Sequence, residues 1–272
     1  MINNNYLDKF KLNNKTVLIN GGLGLIGSEI SMACLSAEAK VIIVDINKSK
    51  INKFKKLINN YKKKLKIINL NTSDYKTVEK NFNKIIKVDN IDVFINASYP
   101  KDNNWEKNSF EDINLTSFRR NIDINMISYA WLTKLIADLM KKNKINGSIV
   151  LLGSIYGLIA QDLSIYKNTK MKENMTYSIV KGGVVNLTKQ MASYYGKYNI
   201  RINSICPGGV LDPLSKKLLI NKNFIKNYKN KVPLSRLGKP DEIALCAIFL
   251  SSEASSYITG QNIPVDGGWT SI

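Results

Sequence analysis

Residues 19–27 read INGGLGLIG, with four glycines in seven positions, entered from the apolar run TVLIN (16–20) and followed by SEISMACLSAEA (28–39). Glycines between a strand and a helix let the backbone turn tightly and approach a pyrophosphate, whose charge is met by the helix N-terminus. A plain tight connection uses the same residues, and at this point both readings stand. The spacing also reads two ways. It is Gly21-x-x-Gly24-x-x-Gly27, or a pattern whose middle glycine is replaced by Leu25.

Outward from this turn, strand-length apolar runs alternate with helical patterns: TVLIN (16–20), KVIIVD (40–45), KIINL (66–70), IDVFINA (91–97), GSIVLLG (147–153), IRINSIC (200–206) and NIPVD (262–266). These runs are continuously apolar, as expected for strands buried on both faces of a parallel sheet. Helices are expected over 26–38, 48–60, 74–87, about 115–142, 175–197 and 240–251. This rhythm predicts an α/β fold of βαβ units, a Rossmann-type doubly wound parallel sheet of about seven strands with helices on both faces. No linker, repeat or low-complexity block divides the chain, so residues 1–272 are expected to form one nucleotide-binding domain.

The composition excludes several functions. The chain has 272 residues, 44% of them hydrophobic, enough for one sizeable core. No apolar run reaches the roughly 20 residues of a membrane helix. The N-terminal MINNNYLDKFKLNNK lacks the apolar core of a signal peptide. Cys34, Cys206 and Cys246 have no metal-ligand spacing, and with no histidine in the chain a zinc site or histidine triad is not expected. A reducing cytoplasm fits. The net charge of +19 is spread along the whole chain among abundant asparagines. It is read as compositional, with neither a nucleic-acid nor a membrane partner expected.

Two constellations carry chemistry. Strand 40–45 ends in Asp45, about 20 residues after the glycines, where a carboxylate accepts from the adenosine ribose hydroxyls and repels a 2′-phosphate. This favours NAD, while Lys48 keeps NADP open; a helix-capping aspartate is the alternative. Tyr177 and Lys181, in YSIVK, are four residues apart and share one helix face. A nearby ammonium favours the phenolate, so such a tyrosine can exchange a proton while nicotinamide exchanges a hydride. Ser154 follows GSIVLLG at the end of the sheet where ligands bind.

Together with Asn125 in DINMISYA, INASYP (95–100), LLGSIYG (151–157), RINSICPGGV (201–210) and ITGQNIPVDGGW (258–269), these residues resemble the short-chain dehydrogenase/reductase family over about residues 12–270. Gly-x-x-Gly-x-x-Gly resembles the extended branch of nucleotide-sugar epimerases and dehydratases, but the C-terminal VDGGW and the other downstream motifs resemble the shorter branch, with which the chain is identified. The resemblance implies that Tyr177 is the general acid/base and that Ser154 bonds the reacting oxygen. Lys181 would bind the nicotinamide ribose and lower the tyrosine pKa, and Asn125 would hold a relay water. Gly21, Gly24, Leu25, Ile26, Gly27, Asp45, Asn71, Asn96, Ala97, Pro207, Gly208 and Val210 would hold the cofactor. It also implies a homo-oligomer, a tetramer or dimer, built through helices 115–142 and 175–197.

The departures locate what is particular to this chain. Asn96-Ala97-Ser98-Tyr99 stands where the family has Asn-Asn-Ala-Gly, and Asn71 where an aspartate is common. The Ser154–Tyr177 interval is long. Its extra residues, IAQDLSIYKNTKMKEN (159–174), read as a substrate-side loop favouring a polar or anionic substrate through Lys167, Lys170 or Lys172, or as a tolerated surface loop. Residues 209–232 are expected to be a substrate lid. Tyr99 and Trp105 line the pocket or pack. These features are similar to family members that modify flagellin or surface glycans, implying a small polar, sugar-derived substrate. A nucleotide-sugar epimerase/dehydratase and a non-catalytic dinucleotide-binding regulator are the alternatives.

Overall fold

The computed structural model describes residues 5–57, 63–86, 90–212 and 221–272. Seven strands are present among them: β1 (Thr16–Asn20), β2 (Lys40–Asp45), β3 (Leu65–Asn69), β4 (Val93–Asn96), β5 (Ser148–Leu152), β6 (Arg201–Pro207) and β7 (Asn262–Val265). All neighbours pair in parallel, in the order β3-β2-β1-β4-β5-β6-β7. The order reverses between β1 and β4, which opens a crevice at the carboxyl ends of those strands.

Alternation along β1 shows how the sheet feeds two cores. Val17 and Ile19 join one cluster with Ile30, Cys34 and Leu35 of α1 (Leu25–Ser36) and Ile243, Ala247 and Leu250 of α8 (Pro240–Ser251). Leu18 joins the opposite cluster with α3 (Val78–Ile85), α5 (Ser128–Lys142) and α6 (Met175–Tyr195), through Phe82, Ile136, Met140 and Val184. Each fully buried aliphatic side chain stabilises the fold by about 1.5–3 kcal/mol. Both faces are covered, and for this reason the strands are continuously apolar.

Several helices differ from their expected spans. The helix expected from residue 74 starts at Val78, because Asp74 builds a turn of its own by accepting from Lys76 N and Thr77 Oγ1. The helix over 115–142 is divided into α4 (Leu115–Ile122), a π-type turn (Asp123–Ile127) closed by Ser128 N donating to Asp123 O, and α5. Helix α2 spans Lys48–Leu57; the expected extension to residue 60 lies outside the described residues. Of the 209–232 loop, residues 213–220 also lie outside them, and α7 (Lys222–Lys229) follows. No helix among the described residues is long and apolar enough to cross a membrane.

The 159–174 segment is anchored at both ends. Ile165 is fully buried in a third cluster with Tyr228 of α7, Val232, Leu237 and Trp269. Asn227 Nδ2 donates to Lys167 O at 2.9 Å, and Lys231 pairs with Asp162 at 2.9 Å. On the other flank, Lys172 Nζ lies 2.8 Å from both Glu111 Oε2 and Asp112 Oδ2. The segment therefore joins α7 to the 105–114 stretch and forms one wall of the site.

Candidate active site

A cavity of about 900 Å³ runs across the carboxyl ends of β2, β1, β4, β5 and β6. At one end stands the glycine turn. Gly21 has φ +72°, and a Cβ there would lie 2.8 Å from Ser98 Cα. Gly24 is the N-cap of α1, so Leu25 occupies the first helical position, where no glycine is required. A Cβ on Gly27 would fall 2.1 Å from Gly21 O, so α1 can begin this close to the turn only with glycine there. The α1 N-terminus thus opens onto a cradle with room for backbone but not for side chains, which is what a pyrophosphate requires.

Asp45 borders the same end of the cavity. Its carboxylate accepts from Leu23 N and Asn47 N, both at 3.0 Å, which fixes it between the glycine turn and the end of β2. Lys50, rather than Lys48, reaches this rim. Asn71 lines the cavity with its amide oxygen accepting from Ser73 N at 2.9 Å.

Asn96 is placed differently from the expectation that it borders the cofactor. It is fully buried, with Oδ1 accepting from Asn20 Nδ2 at 3.0 Å and Nδ2 donating to Thr133 Oγ1 at 3.3 Å. Its side chain braces the strand ends from below, since a buried amide keeps its partners rather than turning to a cavity. Ala97 and Ser98 form the wall instead, with Leu25, Ile26, Pro207, Gly208 and Val210 also lining it.

At the other end, α6 presents Tyr177 and Lys181. The helix is started by Asn174, whose Oδ1 accepts from Tyr177 N at 2.9 Å and from Thr176 Oγ1 at 2.8 Å. Asn174 is itself gripped: its Nδ2 donates to Trp105 O at 3.0 Å, and its carbonyl accepts from Gln161 Nε2 at 2.8 Å. The first turn carrying Tyr177 is thereby tied to both the 105–114 stretch and the inserted segment.

Lys181 is 4% exposed, with Nζ donating to Leu152 O at 2.7 Å. Burial lowers its pKa from 10.5 to about 8. The Tyr177 phenol is pushed up by burial, opposed by hydrogen bonding with Ser154. This corrects the expectation that Lys181 depresses the phenol. The ammonium sits 5.6 Å from the centre of the Tyr177 ring and is bonded to a carbonyl, so loss of water dominates the phenol. Ser154 caps the short turn Ile155–Gly157, its Oγ accepting from Tyr156 N at 3.2 Å, which leaves its hydrogen to donate.

Asn125 lies in the π-type turn, where such irregularities frequently mark functional sites. It is 2% exposed; Nδ2 donates to Pro100 O at 3.3 Å, and Oδ1 has no partner among the described residues. An unpartnered buried carbonyl oxygen is suited to accepting from a water. Gly183 makes room for the neighbouring Met126, since a Cβ there would lie 1.9 Å from its methyl.

The sequence did not single out Tyr156, Gln161, Tyr166 or Asn174 as cavity-lining. Asn174, three residues before Tyr177, carried the signal of a helix cap. The others share only their place in the long Ser154–Tyr177 interval. Tyr99 and Trp105 line the cavity. Lys172 does so too, but with its charge balanced by two carboxylates, so it is not the open cation that an anionic substrate would need. Among the described residues no cluster of potential metal ligands is present.

A sequence model described as enoyl-(acyl carrier protein) reductase matches residues 25–270. The post-translational flagellin modification protein A of Campylobacter coli is 27% identical over 263 residues, covering 95% of this chain and 99% of that protein. A D-arabinitol 2-dehydrogenase (ribulose-forming) of Scheffersomyces stipitis is 28% identical over 282 residues, covering 97% of each. Among solved structures, a short-chain dehydrogenase of Leptospira borgpetersenii with bound NAD+ superposes with a TM-score of 0.82 at 32% identity, covering 99% of this chain and 97% of that one. With the parallel sheet, the glycine cradle and the Tyr177–Lys181 face of α6 already in place, these matches show that the chain belongs to the short-chain dehydrogenase/reductase family of oxidoreductases, in its shorter branch.

Proposed function

We propose that the protein transfers a hydride between a nicotinamide dinucleotide, NAD in preference to NADP, and a secondary alcohol or ketone on a small polar, sugar-derived substrate. The observation that carries this reading is one cavity with the glycine cradle at one end and Tyr177 and Lys181 at the other, Ser154 standing buried behind them in hydrogen bond with Tyr177. Gly21, Gly24 and Gly27 with the α1 N-terminus would hold the pyrophosphate, and Asp45 the adenosine ribose. Ala97, Pro207, Gly208 and Val210 would border the dinucleotide, and Lys181 would meet the nicotinamide ribose. When bound, the nicotinamide supplies or accepts the hydride.

The chain's own residues manage the proton. Ser154 donates to the substrate oxygen and orients it toward Tyr177. At neutral pH the Tyr177 phenol is protonated, because burial raises its pKa. It is therefore set to give its proton to a carbonyl oxygen as that oxygen gains charge. In the oxidative direction it must first lose the proton, so oxidation accelerates as pH rises. Lys181 and a water on Asn125 would return protons to the phenol. Tyr99, Trp105, Tyr156, Gln161 and Asn174 give the substrate end aromatic and amide walls, which suit a hydroxylated molecule. The names of the C. coli and S. stipitis relatives support a sugar-like substrate and a role in surface-glycan synthesis.

We read the protein as cytoplasmic and as a homo-oligomer, a tetramer or dimer. Exposed Leu115, Ile127, Trp131, Ile179 and Tyr194 on α4, the π-type turn, α5 and α6 support assembly through those helices. The test is a panel of polyols and sugar derivatives assayed with NAD and NADP by absorbance of the reduced cofactor. Tyr177→Phe should still bind NADH while its turnover falls about 10²–10⁴-fold; full turnover in that variant refutes the reading.

A further inference from the structure

Tyr99 lies three residues past the end of β4, in the Ala97-Ser98-Tyr99 departure from the family's pattern. Its ring meets the Tyr177 ring edge-on, with centroids 5.0 Å apart and planes at 78°. The Lys181 ammonium sits 4.9 Å from the centre of the Tyr99 ring, closer than to the Tyr177 ring at 5.6 Å. The Tyr99 hydroxyl lies against Trp105 and makes no hydrogen bond to Tyr177 or Lys181. One aromatic ring therefore meets both members of the acid–base pair.

The buried ammonium needs such a face. Among the described residues its one hydrogen-bond acceptor is Leu152 O, and no carboxylate is bonded to it. The titratable groups facing it are Tyr177 on its own helix, Tyr99 from the segment after β4 and Cys206 from β6. Asp102 acts on Tyr99 and Asp266 on Cys206, each one residue further out. An ammonium deprived of water is stabilised by the negative face of an aromatic ring, while the bulk of that ring excludes the water that would otherwise restore its ordinary proton affinity.

We propose that Tyr99 is a positioning residue for the Tyr177–Lys181 pair: its ring holds the Lys181 ammonium at the Leu152 carbonyl and closes the pair off from bulk water on the cavity side. This rests on the functional reading above. The ring performs the role, not the hydroxyl, so a phenylalanine replaces it and a small residue does not.

The experiment follows the side-chain Cε resonance of Lys181 in 13C-lysine-labelled protein through pH 6–11, identified by its absence in Lys181→Met. The parent should titrate near 8. Tyr99→Ala should raise that midpoint by about one pH unit or more, a tenfold rise in proton affinity. Tyr99→Phe should leave it in place. Tyr99→Leu, which excludes water without a π face, should fall below the parent. The alkaline limb of kcat/KM on the best alcohol of the panel should move with these midpoints. A Tyr99→Ala midpoint within about a third of a pH unit of the parent overturns the proposal. If that variant does not fold, equal midpoints for Tyr99→Phe and Tyr99→Leu overturn it instead. Full turnover by Tyr177→Phe would refute the functional reading while leaving this titration intact, so the two failures are distinguishable.

Discussion

Lys181→Met should make the protein more stable at neutral pH and catalytically dead. Methionine fills nearly the same volume, so the comparison isolates the charge. Lys181 titrates at 10.5 in an unfolded chain and at about 8 in the fold. Its folded pKa is lowered, so below pH 8 folding must dehydrate an ammonium, and the full cost is present there. Between pH 8 and 10.5 the unfolded chain binds more protons than the folded one, so stability rises with pH; above 10.5 the cost is gone. At about 1.36 kcal/mol per pH unit the dehydration costs roughly 3 kcal/mol. Methionine also forfeits the bond to Leu152 O, worth about 1 kcal/mol. A net gain of about 2 kcal/mol is expected at pH 7, shrinking and then reversing by pH 10.5. Urea denaturation of both proteins at equal concentration, at pH 7 and pH 10.5, reads the difference. A Lys181→Met protein less stable than the parent at pH 7, or a difference that does not vary with pH, would refute the reasoning.

Gly27→Ala should abolish tight NADH binding and cost about 1–3 kcal/mol of stability, because its Cβ would enter the Gly21 carbonyl oxygen; fluorescence titration and thermal melting check both. Asp45→Ser should shift the NADPH-to-NADH affinity ratio upward by about tenfold or more, roughly 1.4 kcal/mol, since a carboxylate leaves the rim while Lys50 stays. Parallel titrations measure the ratio, and an unchanged value would remove Asp45 from the specificity argument. Lys172→Glu should set three carboxylates against one another at the 111–112 anchor. Trypsin should then cut within 159–174 several-fold faster while the global melting temperature stays put, because these groups are exposed. Asn174→Ala should cost about 1 kcal/mol and reduce kcat more than it changes cofactor affinity, because it loosens the turn that holds Tyr177.

The seven strands were legible because a sheet covered on both faces demands unbroken apolar runs, and few other residues satisfy Val17, Ile19, Ile43 or Ile95. Tyr177, Lys181 and Ser154 were legible because helix spacing and strand ends place them without tertiary knowledge. The glycine spacing alone would have misassigned the branch, which the downstream motifs set right. Gly24 is a helix cap and Leu25 the first helical residue, so the extended-type spacing needs no extended-type domain. The roles of Asn96 and Lys172 were not legible. An asparagine at a strand end can face a cavity or brace its neighbours, and only Asn20 and Thr133 decide for bracing. A lysine in an insertion can wait for an anion or pair with carboxylates 60 residues away, and nothing local distinguishes the two.

The sequence by itself determined the fold class, the nucleotide cradle and the tyrosine–lysine face, because each depends on short-range geometry: a period, a turn, a helical spacing. Only the tertiary structure decided the protonation of that face. Burial lowers Lys181 and raises Tyr177, the Ser154 hydrogen bond opposing the latter, and the groups that meet the pair, Leu152, Tyr99 and Ser154, come from separate stretches of the chain. A pKa is set by what surrounds a group in space, and that was fixed when the sheet brought those segments together.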